Sequence, residues 1–242
     1  MPDILLINPN TTETMTAAMA AAAESRLAAD SRILARTAAD GPASIEGYVD
    51  EVYSVPPMLE IIRRETAYDA VVIACFDDTG VEAARCVSAA PVTGICQAAC
   101  QVATLLADSF AIVTTLPRSV PALEQRVLSY GFERHCRVVT ASDIPVLALE
   151  QGDEAVYQTL KASCQDSLQR HRAEAIVLGC AGMVSLQERL QNELGVPVIE
   201  GVSAAVAMMD ALARLPLSTS RAGGYAAPAP KRYRGRFAAD SP

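Results

Sequence analysis

Lysine and histidine are nearly missing from this chain of 242 residues, and their scarcity excludes several chemistries. A pyridoxal phosphate enzyme needs a lysine for its Schiff base. The only two are Lys161, in a polar helical stretch, and Lys231, near the carboxyl end. A papain-like nucleophile needs a histidine held beside it. His135 (in Glu133-Arg134-His135) and His171 (in Arg170-His171-Arg172) lie in polar surroundings away from any strand end, and neither has metal-ligand spacing, so no metal is expected. There is no Cys-x-x-Cys, and Gly179-Cys180-Ala181-Gly182 is too short for a phosphate loop and lacks the Walker lysine. No apolar run reaches 18 residues, so no membrane span is expected. The chain enters its first strand with no basic region ahead of an apolar core. A signal peptide is therefore not expected, and the cytoplasm is the expected location.

What the chain does have is apolar content and acid. Hydrophobic residues make up 51%, enough to build one large domain or two lobes of about 100 residues each. The net charge of −8 is uneven: from Arg214 onward six basic residues and one acidic give +5, leaving −13 for residues 1–213. An acidic body argues against nucleic acid as the main partner. With no basic face elsewhere, Lys231, Arg232, Arg234 and Arg236 are expected on an arm that packs on the acidic body or on a neighbouring subunit. Seven cysteines without framework spacing are expected to stay reduced. Cys86, Cys96, Cys100, Cys136 and Cys164 read as ordinary core residues.

Cys75 and Cys180 differ because the chain repeats itself around them. Each ends an apolar run that reads as a buried parallel strand, 68–75 and 173–180, aligned without a gap at an offset of 105 residues. Arg32 and Arg137 keep that offset, and Ile4-Leu5-Leu6-Ile7-Asn8 matches Phe110-Ala111-Ile112-Val113-Thr114 at 106. A helical stretch and then a proline strand follow each cysteine, Pro91-Val92-Thr93-Gly94 and Pro197-Val198-Ile199-Glu200-Gly201. The fold class is therefore α/β: two pseudo-symmetric lobes, each a mainly parallel sheet flanked by helices, with the active site in the cleft between them. Residues 1–95 are expected to form the first lobe, completed by a returning helix at about 203–215. Residues 96–202 form the second, and 216–242 a tail. Within the first lobe, Thr11 or Thr12 is expected to cap the first helix, and a second helix is expected from about Pro56 to Thr66.

Ligands of open parallel sheets bind at the carboxyl ends of the strands. Two thiols there, one from each lobe, suit proton transfer at both faces of one carbon. A cysteine just before a helix sits near free amides and the positive end of the helix dipole, which predicts a lowered thiol pKa. The amides of Phe76 and Asp77, and of Ala181 and Gly182, can donate to an oxyanion that forms as a proton leaves carbon next to a carbonyl.

At these residues the sequence resembles the aspartate/glutamate/hydantoin racemase superfamily, in its hydantoin and allantoin branch. The matching segments are Ile7-Asn8-Pro9-Asn10-Thr11, the loop 41–47, Ile73-Ala74-Cys75-Phe76-Asp77-Asp78-Thr79-Gly80, Ile112-Val113-Thr114-Thr115-Leu116, Leu178-Gly179-Cys180-Ala181-Gly182-Met183 and 197–201. The resemblance implies Cys75 and Cys180 as the two acid/base residues. It implies a pocket lined by Asn8, Pro9, Thr12, Ile45, Phe76, Asp77, Thr114, Thr115, Ala181 and Gly182. It also implies no cofactor, a small cyclic ureide as substrate, and a homo-oligomer. Amino-acid racemases of the superfamily usually place an asparagine-threonine pair after the first cysteine and a threonine and an acidic residue after the second. Here Phe76-Asp77 and Ala181 stand there instead, which favours a hydantoin ring. Phe76 and Ile45 hint at an apolar wall for an alkyl or aryl substituent, and allantoin is the runner-up. More remote readings are an amino-acid racemase, a maleate-type isomerase, for which only Arg118 could serve as a cationic clamp in the strand-end loops, and a non-catalytic sensor.

Overall fold

The structure is a computed structural model that describes residues 1–241, leaving aside the side chains of Glu150 and Gln151. In the first half, strands β1 (Asp3–Asn8), β2 (Arg32–Thr37), β3 (Ala70–Ile73) and β4 (Val92–Gly94) alternate with helices α1 (Glu13–Glu24), α2 (Tyr48–Arg64) and α3 (Val81–Val87). Helix α4 (Ile95–Leu106) opens the second half. It is followed by β5 (Phe110–Thr114), α5 (Val120–Ser129), β6 (Cys136–Ala141), α6 (Glu154–His171), β7 (Ala175–Leu178), α7 (Gln187–Leu194), β8 (Val198–Glu200) and α8 (Gly201–Ala213). The strands form two four-stranded sheets, ordered β2-β1-β3-β4 and β6-β5-β7-β8. Every pairing is parallel.

The repeat extends to single hydrogen bonds. Ala74 N–H donates to Ile7 O and Gly179 N–H to Val113 O, both at 2.8 Å, so each cysteine leaves its sheet at the same point. In this strand order the chain runs to one side of the first strand and then back to the other, which opens a crevice between the ends of β1 and β3, and of β5 and β7.

Both faces of each sheet are covered, so the inner strands β3, β5 and β7 are almost wholly apolar and fully buried. Leu5, Ile7, Val71 and Ile73 face Met58, Ile62, Val81 and Ala84 of α2 and α3. Ala111, Val113, Ile176 and Leu178 face Leu160, Cys164 and Leu190 of α6 and α7. The alternate residues Ile4, Leu6, Val72, Ile112 and Val177 point into one core shared by the two halves, built on α1, α4 and α8. Helix α4 packs on β7 and β8, while α8 packs on β3 and β4. The two helices meet where Gly201 lies over Ile95. A side-chain carbon at Gly201 would come 2.5 Å from the Ile95 carbonyl oxygen, so only glycine allows this approach.

Three local expectations need correction. Helix α2 starts at Tyr48, and Pro56 and Pro57 lie inside it, not at its start. A proline lacks the N–H that continues a helix and is most at home in the first turn. Here the surrounding packing of Met58 and Ile62 overrides that local preference. Thr12 occupies the N-cap position of α1 but does not cap it; its hydroxyl donates to Ala43 O at 2.7 Å and so ties down the loop 41–47. Residues Ala181–Leu186 form a 3-10 helix ahead of α7. The tail runs over the first lobe through Thr219, which donates to Ala89 O and Ala90 O, and Arg221, which donates to Cys86 O. Lys231, Arg232, Arg234 and Arg236 are exposed and make no ion pair among the described residues, so the acidic body does not hold them. No helix is long and apolar enough to cross a membrane among the described residues.

Candidate active site

Both cysteines open the same backbone turn. After Cys75, Asp78 N–H returns to the Cys75 carbonyl at 3.0 Å; after Cys180, Met183 N–H returns to the Cys180 carbonyl at 3.1 Å. In each turn the amide two residues on, Asp77 or Gly182, is directed at the cysteine sulfur. Thr79 also donates its hydroxyl to Cys75 Sγ, at 3.4 Å.

The two turns face a single small cleft with a cavity volume of about 40 Å³. Of the residues expected there, Cys75, Cys180, Ile45, Phe76, Asp77, Thr114, Thr115 and Ala181 line it. Asn8, Pro9, Thr12 and Gly182 do not. Asn8 sits beneath the wall: its side-chain amide donates to Asn10 Oδ1 at 2.8 Å and to Thr16 Oγ1 at 3.0 Å, and its Oδ1 accepts from Asn10 N–H. Asn10 takes the place in the wall expected for Asn8. Sequence reasoning also missed Met15, Ser119, Val146, Gly179 and Ala74. The repeat could have found Val146, because it lies in the loop equivalent to the one carrying Ile45.

Thr114 is buried and donates its hydroxyl to Gly179 O at 2.9 Å, locking the end of β5 against β7. A side chain at Gly179 would collide with Thr114, so this close approach of strand ends also needs glycine. The loop 41–47 reaches across the cleft, and Glu46 Oε1 accepts from Val146 N–H at 3.4 Å.

The expected lowering of the thiol pKa is not found. Burial drives Cys75 well above its ordinary value, and the Asp77 carboxylate adds to the rise; Thr79 and the Asp77 amide pull the other way. Cys180 goes up to about 12, again through burial first, with the Gly182 amide opposing and the charges of Asp77 and Glu46 assisting. No α-helix N-terminus offsets that burial, since α3 begins at Val81 and Cys180 is followed by a 3-10 helix.

Two acids follow Cys75. Asp78 is wholly buried and fully used: it accepts from the Cys96 and Gln97 amides at 2.9 Å each and from the Tyr130 hydroxyl at 2.8 Å. Burial nonetheless raises it to about 6. Asp77 is raised to about 7, by burial first and then by the nearby charges of Glu51 and Asp78. Arg126, reaching over from α5, holds the turn by donating Nε to Asp77 O at 2.8 Å and Nη2 to Asp78 O at 3.3 Å.

Among the described residues no lysine or arginine lines the cleft; Arg118 lies outside it, its stem near Gly47. Among the described residues no cluster of His, Cys, Asp or Glu is placed to hold a metal ion. Such a site can enclose a small uncharged ring, present a thiol from each lobe, and solvate a developing oxyanion.

Residues 4–209 match the family described as Asp/Glu/Hydantoin racemase. The hydantoin racemase of Rhizobium meliloti is 52% identical over 93% of this chain and 94% of its own length. The hydantoin racemase of Pseudomonas sp. (strain NS671) is 41% identical over 96% and 94%. The allantoin racemase structure from Klebsiella pneumoniae superposes with a TM-score of 0.96 at 44% identity, covering 100% of both chains.

Proposed function

Because the chain belongs to the Asp/Glu/hydantoin racemase family, we propose that it inverts C5 of 5-substituted hydantoins by two-thiol proton transfer. The observation that carries the proposal is the placement of Cys75 and Cys180, at matched strand ends of opposite lobes, in one cleft. A thiolate on one face takes the C5 proton. The electron pair of the C–H bond moves into the ring and onto the adjacent carbonyl oxygen, giving an enolate. The opposite thiol then returns its own proton to the other face. One proton leaves and one arrives, so no redox partner or cofactor is required. The high thiol pKa values make each sulfur a strong base once ionised, and the Asp77 and Gly182 amides are placed to stabilise the ionised form.

The absence of lysine and arginine from the cleft wall argues for an uncharged ring over a free amino acid or a diacid, whose carboxylates need cations. Ile45, Met15, Phe76 and Val146 supply an apolar wall for an alkyl or aryl substituent. Asn10, Thr115 and Ser119 supply polar groups that suit the ureido arm of allantoin, the second reading. The exposed Tyr48, Val49, Val52 and Tyr53 share one face of α2 and support assembly with a second copy.

The test is a single enantiomer of a 5-alkylhydantoin in D2O with reductant. Inversion accompanied by C5 deuteration, well above an enzyme-free control, is the expected result. Allantoin run in parallel decides the substituent, and no exchange with either ring overturns the proposal.

A further inference from the structure

One buried acid at the cleft has no partner in the protein. Asp77 is 6% exposed and lines the cavity, and its carboxylate oxygens make no hydrogen bond or ion pair among the described residues. The cation beside it is committed elsewhere. Arg126 gives Nε and Nη2 to the backbone carbonyls of Asp77 and Asp78 and Nη1 to the Glu82 carboxylate at 3.0 Å. Asp78, one residue on, shows the structural alternative, with its carboxylate tied to two α4 amides and a tyrosine. Asp77 caps nothing, since α3 begins four residues later at Val81. Its oxygens are not sealed from solvent, as the unpartnered Glu51 Oε1 is, so the carboxyl of this otherwise buried residue is open at the cavity wall, where a ligand can pair with it. Asp77 lines the same small cavity as Cys75 and Cys180, which puts it beside a ring held between them.

We propose that the Asp77 carboxyl is a catalytic residue that grips the cis-amide edge of the substrate ring, its O–H donating to the C4 carbonyl oxygen and its C=O accepting from N3–H. This rests on the racemase reading above and adds to it a basis for ring selection: the substrate must carry an N–H next to the carbonyl that flanks C5.

A neutral carboxyl presents one donor and one acceptor side by side, the complement of a cis-amide. Burial favours that neutral form, holding Asp77 at about 7. As the C5–H bond breaks, its proton passes to the thiolate and the electron pair arrives on the C4 oxygen. The Asp77 proton is shared with that oxygen and stays on the carboxyl, so the hydrogen bond strengthens as charge develops. An ionised Asp77 would face the enolate with like charge and oppose ionisation of whichever cysteine acts as base.

The experiment compares wild type, Asp77→Asn and Asp77→Ala with a 5-alkylhydantoin and its 3-methyl analogue, reading C5 deuteration and inversion. Asparagine reproduces the donor and acceptor, so Asp77→Asn is expected within about tenfold of wild type. Asp77→Ala is expected to fall about 100-fold in kcat/KM, the usual effect of losing one oxyanion donor. Ring methylation removes the N3–H, so it should depress wild type and Asp77→Asn strongly and leave Asp77→Ala little changed. Because the side chain has no protein partner, its truncation orphans no group, and circular dichroism should show the variant folded. An active wild type whose Asp77→Ala variant keeps its rate, or feels methylation as strongly, overturns the Asp77 assignment alone. A wild type that exchanges neither ring nor allantoin overturns the racemase reading and this inference together.

Discussion

Asp78 gives its carboxylate to two helix amides and a tyrosine hydroxyl, while Asp77 next to it faces the cleft with none. The difference has a thermodynamic consequence. Asp77 is moved from the usual 3.8 to about 7, so its folded-state pKa lies above its unfolded one. The folded protein therefore holds this proton more tightly, and stability falls as pH rises from about 4 through about 7. Once ionised, the group costs the fold up to about 4 kcal/mol. Asp77→Asn removes the ionisation. Urea denaturation should find the variant more stable than wild type by about 1–4 kcal/mol at pH 8, with the difference vanishing near pH 4. Equal stability at both pH values would show that Asp77 is not held in a desolvated site. The residue types at the site were legible in the sequence: both cysteines, Ile45, Phe76, Asp77, Thr114, Thr115 and Ala181 line the cleft. Asn8 was displaced by Asn10 because the Asn8 side chain is spent on Asn10 and Thr16 beneath the wall, a hydrogen-bonding detail that residue type does not encode.

At the scale of elements, the Cys75 turn is held from outside itself. Asp78 anchors it to the N-terminus of α4, and Arg126 of α5 clamps the carbonyls of Asp77 and Asp78 from the other lobe. Arg126→Ala takes the side-chain donor from the Asp77 carbonyl, leaves the Asp78 carbonyl with the Val81 amide alone, and frees the turn. Racemisation should drop about 10- to 100-fold, as misplacement by about an ångström does. Stability should fall by about 2–4 kcal/mol. Arg126→Lys should recover little, since one ammonium cannot serve both carbonyls and Glu82. Steady-state rates with thermal melts check this, and a fully active Arg126→Ala would contradict the clamp. Strand positions were legible because apolar runs buried on both faces stand out from their surroundings. The segment after Cys180 was not. A 3-10 helix stands there in place of the expected α-helix start. The argument for acidic thiols failed on burial of both sulfurs, which outweighs the amides beside them.

The whole molecule is two copies of one unit that exchange their last helices around Gly201 and Ile95. The same turn follows each cysteine, so the two thiols reach the cleft as equivalent groups of the two repeats. Near symmetry suits a reaction whose substrate and product are mirror images, because each lobe need serve one hand only. The offset of 105 residues carried this symmetry in the sequence. What no offset could carry was the relation between lobes, including the reach of loop 41–47 to Val146 and of Arg126 to the Cys75 turn. The most direct measurement is C5 deuteration, in D2O, of each pure 5-alkylhydantoin enantiomer by Cys75→Ser and by Cys180→Ser. Each variant should lose inversion yet retain exchange on one enantiomer, and the two variants should exchange opposite enantiomers. Inversion by either variant, or exchange of the same enantiomer by both, would contradict a thiol from each lobe acting on its own face of C5.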